Sequence, residues 1–225
     1  DEPTRDTLEF FYPRLSPGGM LVCDDYGARW CPGAKRALDI IIASIALVAL
    51  SPVLLIIAIA IRLDSKGPAL FRQTRRGLNS APFRILKFRT MRVLEDGAVV
   101  PQAKRRDARV TRIGRWLRRA SLDELPQFWN VLRGDMSLVG PRPHALAHDR
   151  YYAALLANYN VRQRAKPGLT GWAQINGSRG ETPTLDSMAR RVELDLWYVR
   201  HRSLVLDLKI MLRTLIQLFS LDRAY

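Results

Sequence analysis

Cysteine is nearly missing from this chain of 225 residues, which holds only Cys23 and Cys31. Two thiols build no disulfide framework, and their scarcity fits a reducing compartment. The opening DEPTRDTLEF has neither a cationic n-region nor a small-residue cleavage site, so no secretory signal peptide is expected. No internal repeat or low-complexity segment occurs. Acid is scarce where base is dense: between Arg62 and Arg119 only Asp64, Glu95, Asp96 and Asp107 stand against 17 Lys and Arg, a local balance of +13. Charge is absent altogether from one run, Ile40 to Ile61, IIIASIALVALSPVLLIIAIAI.

That run is long enough to cross a bilayer, which takes roughly 20 apolar residues. Ser51-Pro52 sits at its centre, and proline lacks the N–H and clashes with the preceding turn, so a straight span is not expected. Lys35 and Arg36 precede the run, and Arg62, Lys66, Arg72, Arg75 and Arg76 follow it. Cationic flanks mark the cytoplasmic side of a membrane. With both ends cytoplasmic, the chain must enter, bend at Ser51-Pro52 and return as a re-entrant hairpin. Beside such a segment, the basic block calls for anionic headgroups or phosphorylated small molecules rather than nucleic acid.

The rest of the chain suits one main domain with a core of useful size. Thr4 to Tyr12 is helix-compatible, Ser16-Pro17-Gly18-Gly19 is a turn, and Met20 to Cys23 is a short strand candidate. Asp64 to Pro68 reads as a turn, and Ala69 to Arg72 and Pro82 to Phe88 as short cationic strands. In Thr111 to Ala120, Ile113, Trp116 and Leu117 recur at helical spacing with arginines on the other faces, which describes an amphipathic helix for a membrane surface. Ser203 to Phe219 confines Ser203, Asp207, Thr214 and Gln217 to a narrow polar stripe. Trp197-Tyr198 precede it, and amphipathic aromatics belong at headgroup level. A helix of a soluble core fits this pattern equally well. The expected fold class is α+β, mostly helical: a re-entrant hairpin and amphipathic interfacial helices around a small cytosolic domain with short strands.

Chemistry concentrates in Ser121-Leu122-Asp123-Glu124-Leu125-Pro126. Ser-x-x-Glu is a capping-box pattern, with Ser121 as N-cap and Glu124 at N3. The adjacent carboxylates also face an arginine block at a helix N-terminus, which is an anion site. Both surroundings are expected to lower the carboxylate pKa values and keep Asp123 ionised as a nucleophile. Arg142, between Pro141 and Pro143, has a stiff backbone and a guanidinium that can be aimed at a phosphate. An adhesion role for Arg133-Gly134-Asp135 is rejected because this face is expected to be cytosolic. His144 and His148 sit four apart and could share a helix face as a metal pair. No third ligand is near, which favours a structural or substrate-proximal role.

Several motifs in order carry a resemblance: Lys35-Arg36 and Asp39 before the Ser-Pro-broken run, KFRTM (Lys87 to Met91), SLDELPQFWNVLRGDMSLVGPRP (Ser121 to Pro143) and KPGLTGWAQINGSRGETPTL (Lys166 to Leu185). From about Lys35 to Tyr225 the chain resembles the bacterial sugar transferases, the monotopic polyprenyl-phosphate phosphoglycosyl transferases. The resemblance implies that Asp123 attacks the β-phosphate side of a UDP-sugar, releasing UMP and forming a phosphosugar-aspartyl intermediate that undecaprenyl phosphate then resolves. It implies that Asp123 and Glu124 share Mg²⁺, and that Arg142, Arg118, Lys87 and Arg89 bind phosphate or substrate. Asp195 in VELDLWYV matches a further family carboxylate. GPRPHALAH resembles the members that load glucose-1-phosphate to start an exopolysaccharide, with galactose-1-phosphate or an N-acetylated sugar as the alternative.

By the same resemblance the partners are the UDP-sugar, undecaprenyl phosphate and inner-membrane phospholipids, with no nucleic acid, and a homo-oligomer remains open. The location is the cytoplasmic face of the bacterial inner membrane. EFFYPRLSPGGMLVCDDYG resembles the C-terminal end of macrocin-type O-methyltransferases without their cofactor-binding half, so methyltransferase activity is not expected. The domains are then 1–34, a methyltransferase-like remnant; 35–62, the membrane hairpin; and 63–225, the catalytic domain. The rival from another class is a non-catalytic, membrane-anchored basic binding module.

Overall fold

A computed structural model describes residues 31–92 and 107–219. The segments read above as Thr4–Tyr12, the Ser16–Gly19 turn and Met20–Cys23, with nearly all of the methyltransferase-like stretch, lie outside the described residues.

The apolar run is two helices, α1 (Pro32–Ala49) and α2 (Ser51–Asp64), bent by 61° at Leu50. The local chemistry explains the bend. Pro52 sits in the first turn of α2 and brings no N–H to the ladder, and the Ser51 hydroxyl donates to Val48 O at 2.8 Å. A proline in a first turn leaves no extra donor unmade. Among the described residues no single helix is long and apolar enough to cross a membrane, although the bent pair has the length and composition together.

Strand β1 (Leu70–Arg76) pairs antiparallel with β2 (Pro82–Phe88), Leu70 opposite Phe88 and Arg76 opposite Pro82. The expected second strand is met residue for residue, and the first runs four residues further. Helix α3 (Arg112–Arg119) is capped by the Thr111 side chain, which accepts from Gly114 N at 2.9 Å. A 3-10 turn (Leu122–Glu124) leads into α4 (Gln127–Arg133), which ends at Gly134 with φ +91°. Then come β3 (Ser137–Val139), α5 (Leu146–Leu155), a 3-10 turn (Tyr159–Arg164), β4 (Gly168–Thr170), α6 (Trp172–Ile175), α7 (Leu185–His201) and α8 (Leu204–Phe219). β3 and β4 form a second, parallel pair, Ser137 beside Gly168 and Val139 beside Thr170. The fold is mostly helical with two small two-stranded sheets.

The main core gathers Val131, Met136, Leu138, Val139, Ile175, Tyr198 and Ile210, so α4, the parallel pair, α7 and α8 close on one centre. A second cluster sets Ile57 and Ile61 of α2 against Phe88 and Leu117. Helix α3 therefore spends Leu117 and Ile113 on α2, and of its expected membrane-facing set only Trp116 is exposed.

Both ends of the bent pair are fastened to this one body. At the start of α1, Lys35 is buried and donates to Val139 O at 2.9 Å, Tyr198 OH at 3.1 Å and the Asp207 carboxylate. Arg36 donates to the Val131 and Leu132 carbonyls, 2.6 and 2.7 Å away, at the end of α4 where the helix leaves acceptors open. Asp39 accepts from Leu138 N at 3.0 Å and Ser137 Oγ at 3.2 Å. These two cations, read from sequence as a topological flank, are instead internal ties.

Helix α8 buries a polar stripe beside its core residue Ile210. Its polar stripe faces inward: Asp207 is buried against Lys35 and Tyr198, Thr214 Oγ1 lies 2.7 Å from Thr170 Oγ1, and Gln217 donates to Ile175 O at 2.9 Å. Its apolar residues Val205, Leu208, Leu212, Leu215 and Ile216 are exposed. Tyr198, read as a headgroup aromatic, is buried and donates to Asp207 Oδ1 at 2.7 Å. Trp197 keeps part of its face outside and stacks between Trp172 and His201.

Candidate active site

Asp123 and Glu124 sit on the 3-10 turn between α3 and α4. The turn is entered through Ser121, a non-glycine residue at φ +56°, a conformation uncommon outside glycine. The capping box read from Ser-x-x-Glu does not form: Ser121 makes no cap hydrogen bond, and its hydroxyl accepts from Arg179 Nη2 at 2.6 Å. Glu124 faces the cations instead. Its Oε1 accepts from Lys87 Nζ at 2.7 Å, and Arg142 forks both carboxylate oxygens, with Nη1 3.2 Å from Oε2. Burial alone would raise the Glu124 pKa, but Arg142 and Lys87 outweigh it and hold the carboxyl well below the usual carboxylate range.

Asp123 is the contrasting neighbour. It is 9% exposed, yet its carboxylate takes no hydrogen bond from any described residue. Burial pushes its pKa up to about 6, against the pull of Lys87; the Glu124 charge adds to the rise, and Arg118 and Arg142 oppose it. The expectation that arginines and the helix terminus would depress this pKa is therefore corrected: desolvation is the larger effect here. Two adjacent carboxylates are driven apart, one anchored and ionised, the other unpartnered inside a cationic cradle. Lys87, half-buried beside them, has its own pKa lowered by desolvation against the charge of Glu124.

The Arg142 loop is aimed by close backbone approach. A Cβ on Gly140 would lie 2.1 Å from Lys166 O, and one on Gly168 would lie 2.0 Å from Gly140 N, so only glycine fits at both positions. Gly140 N donates to Thr170 O at 2.9 Å, and Gly168 N to Pro141 O at 3.0 Å. Arg118, also expected at the site, donates from Nε to Thr90 Oγ1 at 2.9 Å.

Three expected residues do different work. Arg89 is buried and donates to Ser65 O at 2.7 Å and Lys66 O at 2.5 Å, fastening the loop that leaves α2. Both terminal nitrogens of its guanidinium are engaged by these carbonyls. Asp195 is buried in an ion pair with Arg162, 2.8 Å away, rather than beside Asp123. His144 precedes α5 while His148 lies within it, so the two do not share a helix face. His144 Nδ1 lies 2.6 Å from Tyr159 OH and 2.8 Å from Arg162 Nη1. Burial, then Arg162, pushes its pKa well below the usual histidine range. No group of three His, Cys, Asp or Glu able to hold a metal occurs among the described residues. A magnesium ion remains compatible with the donor set, because it is commonly held by one or two carboxylates plus substrate phosphates. Asp123 has unused oxygens for that purpose, whereas both oxygens of Glu124 are already engaged.

Sequence reading missed Arg162, Arg179 and Arg191. Arg191 is buried and donates to Ser178 O at 3.1 Å and Gly180 O at 2.8 Å, tying down the loop that carries Arg179. None of the three sits in a periodic pattern with its partner. Only the glycine-rich setting of Arg179 hinted at a defined loop.

The arrangement is that of an anion site with an unpartnered carboxylate at its centre, set against an unusually apolar helix pair. The family described as bacterial sugar transferase matches residues 30–221, and the chain belongs to it. The UDP-glucose:undecaprenyl-phosphate glucose-1-phosphate transferase of Caulobacter vibrioides is 58% identical over 211 residues, 94% of this chain and 77% of that protein. The Escherichia coli protein of the same name is 54% identical over 191 residues, and there the match spans 41% of the relative's length. An Aeromonas hydrophila UDP-N-acetylgalactosamine-undecaprenyl-phosphate N-acetylgalactosaminephosphotransferase is 40% identical over 181 residues, 42% of its length.

Proposed function

We infer that this chain transfers glucose-1-phosphate from UDP-glucose to undecaprenyl phosphate. The observation that carries the chemistry is the buried Asp123 carboxylate, unpartnered beside Lys87, Arg118 and Arg142. The relatives at 54–58% identity support glucose as the sugar.

In this reading an Asp123 oxygen attacks the β-phosphorus of UDP-glucose. The bond from that phosphorus to the bridging oxygen breaks, and UMP leaves. An oxygen of undecaprenyl phosphate then attacks the same phosphorus, and the aspartyl bond breaks to return the carboxylate. Splitting the transfer suits a soluble donor and a bilayer-bound acceptor that need not be present together. Phosphoryl transfer is chiefly positioning and charge neutralisation. Arg142, Lys87 and Arg118 supply cationic charge around the phosphates, and Glu124 holds Arg142 and Lys87 in place. Asp123, with Glu124 beside it, would hold Mg²⁺ arriving on the diphosphate, where the ion neutralises leaving-group charge.

The reading extends to the inner membrane, cytoplasmic face. The exposed apolar surfaces of α1, α2 and α8 call for an apolar phase, and phospholipid tails supply it. Attachment of both ends of the α1–α2 pair to one body supports a re-entrant hairpin over a crossing. Initiation of an exopolysaccharide and any homo-oligomer belong to this same proposal. A non-catalytic basic module would account for the charge and the run but leaves the paired carboxylates without a role.

The test is UMP release from UDP-glucose with undecaprenyl phosphate and Mg²⁺, repeated with UDP-galactose and UDP-N-acetylated sugars. UDP-glucose should turn over fastest, and Asp123→Asn should remove the activity. Full turnover by Asp123→Asn would sink the covalent step, and a faster N-acetylated donor would reassign the sugar.

A further inference from the structure

A second densely bonded charged group lies outside the Asp123 site. Arg162, on the 3-10 turn Tyr159–Arg164, is 3% exposed, and all five of its N–H donors are engaged. Nε and Nη2 clamp Asp195 Oδ2 at 3.1 and 2.8 Å. Nη2 also donates to the Arg142 carbonyl at 2.5 Å. Nη1 donates to His144 Nδ1 at 2.8 Å and Tyr159 OH at 3.2 Å. One guanidinium thus grips the chain on both sides of Pro143.

We propose that Arg162, held by Asp195, is a positioning residue for the transfer, acting through the backbone of Arg142. This rests on the transferase reading given above. The need for such an anchor follows from the sequence of the loop. Pro141 and Pro143 have no N–H, so Pro141-Arg142-Pro143 offers a single backbone donor and must be located by its carbonyls. One carbonyl, Pro141 O, is taken by Gly168 N; the next, Arg142 O, is taken by Arg162.

From the residue so located, the Arg142 side chain reaches Glu124, next to Asp123. A shift at the carbonyl is passed to the guanidinium, and misplacement by about 1 Å can cost on the order of a hundredfold in rate. His144 completes the grip: with Arg162 donating to its Nδ1, the ring is a neutral acceptor at that atom. Asp195 enters as the counter-charge that fixes the fork, which gives this distant carboxylate a role in the reaction without contact to substrate. The same geometry explains why arginine stands at position 162. A lysine carries the charge but cannot clamp a carboxylate and hold a carbonyl and a ring nitrogen together.

The test is a double-mutant cycle on the full chain in nanodiscs, using wild type, Arg162→Lys, Arg142→Lys and the double variant. Asp195→Asn replaces Arg162→Lys in a parallel cycle in case the lysine variant fails to fold. UMP release and the affinity for UDP-glucose by calorimetry are both read, with melting temperature recorded for each protein. Arg162→Lys and Asp195→Asn should each slow UMP release by about tenfold or more. In the Arg142→Lys background either should slow it less than about twofold further, because the group being positioned is gone.

Effects that multiply in the double variant would overturn the proposal. So would a lowered melting temperature with unchanged kcat. Coupled binding losses without UMP release from wild type would overturn the transferase reading and leave the positioning role standing.

Discussion

At the scale of single residues, Asp123 and Glu124 show how two adjacent carboxylates acquire different characters. Glu124 is held ionised by Arg142 and Lys87, whereas Asp123 keeps its lone pairs free and is costly to ionise because it is buried. Titratable neighbours pushed apart in this way mark separate tasks. If Asp123 is the nucleophile, as proposed, it must be ionised to react, and its pKa is raised to about 6. Activity should therefore fall by about tenfold per unit as the pH drops below that value. Glu124 does not contribute to this limb, because its pKa lies far lower. A profile flat down to pH 5 would contradict the burial of Asp123.

The sign for stability is the opposite. A folded-state pKa above the unfolded one means that the native protein binds the proton more tightly. Stability is then gained as the pH falls through about 6 towards the ordinary carboxylate range, and at neutral pH the ionised group destabilises the fold. Asp123→Asn should accordingly raise the melting temperature at pH 7.5 while removing activity, with a gain on the order of 1 kcal/mol, or about 2–4 °C. A lower melting temperature would mean that the surrounding cations need the Asp123 charge more than burial penalises it.

At the scale of elements, α8 is defined by what it buries. Its interior stripe is anchored by Asp207, which pairs with Lys35 of α1 and accepts from Tyr198 of α7. That cluster joins the first and last described helices across 172 residues of chain. Breaking one side of a buried pair strands the other charge, at a cost of about 3–5 kcal/mol, whereas replacing both with apolar groups costs much less. Asp207→Asn should thus lower the melting temperature more than Lys35→Met combined with Asp207→Leu. Equal losses would mean that the pair is stabilising in itself rather than mutually compensating. Helix periodicity separates the two faces of α8, but the pattern is symmetric to reversal. A polar stripe buried in protein with an apolar side outward reads the same as its inverse.

At the scale of the molecule, the bent α1–α2 pair is set by its attachments more than by its flanking charges. Lys35, Arg36 and Asp39 fix the start of α1. The end of α2 is fixed by Ile57 and Ile61 against Phe88 and Leu117, and its exit loop by Arg89. A straight crossing would put a bilayer between two parts of one packed body. In a Cys23→Ser background, the exposed Cys31 and an introduced Arg62→Cys should both react with a membrane-impermeant thiol reagent only from the cytoplasmic side. Periplasmic labelling of the residue 62 variant would overturn the hairpin.

The sequence by itself determined the local features: the Ser51-Pro52 bend, strand β2, the mostly helical character, and the adjacency of Asp123 and Glu124. Each follows from the chemistry of neighbouring residues or from a contiguous motif. Tertiary structure alone decided which face of α8 is buried, that Arg89 ties a loop, that Lys35 is an internal ion-pair partner, and that Asp195 reaches Arg142 through Arg162. It also decided the pKa of Asp123, because desolvation depends on the whole surroundings of a carboxylate. Ion pairs such as Arg162 and Asp195, 33 residues apart, have no sequence period linking them. Charge type can be read from a chain, but the burial that gives the charge its energy arises only when distant segments pack together.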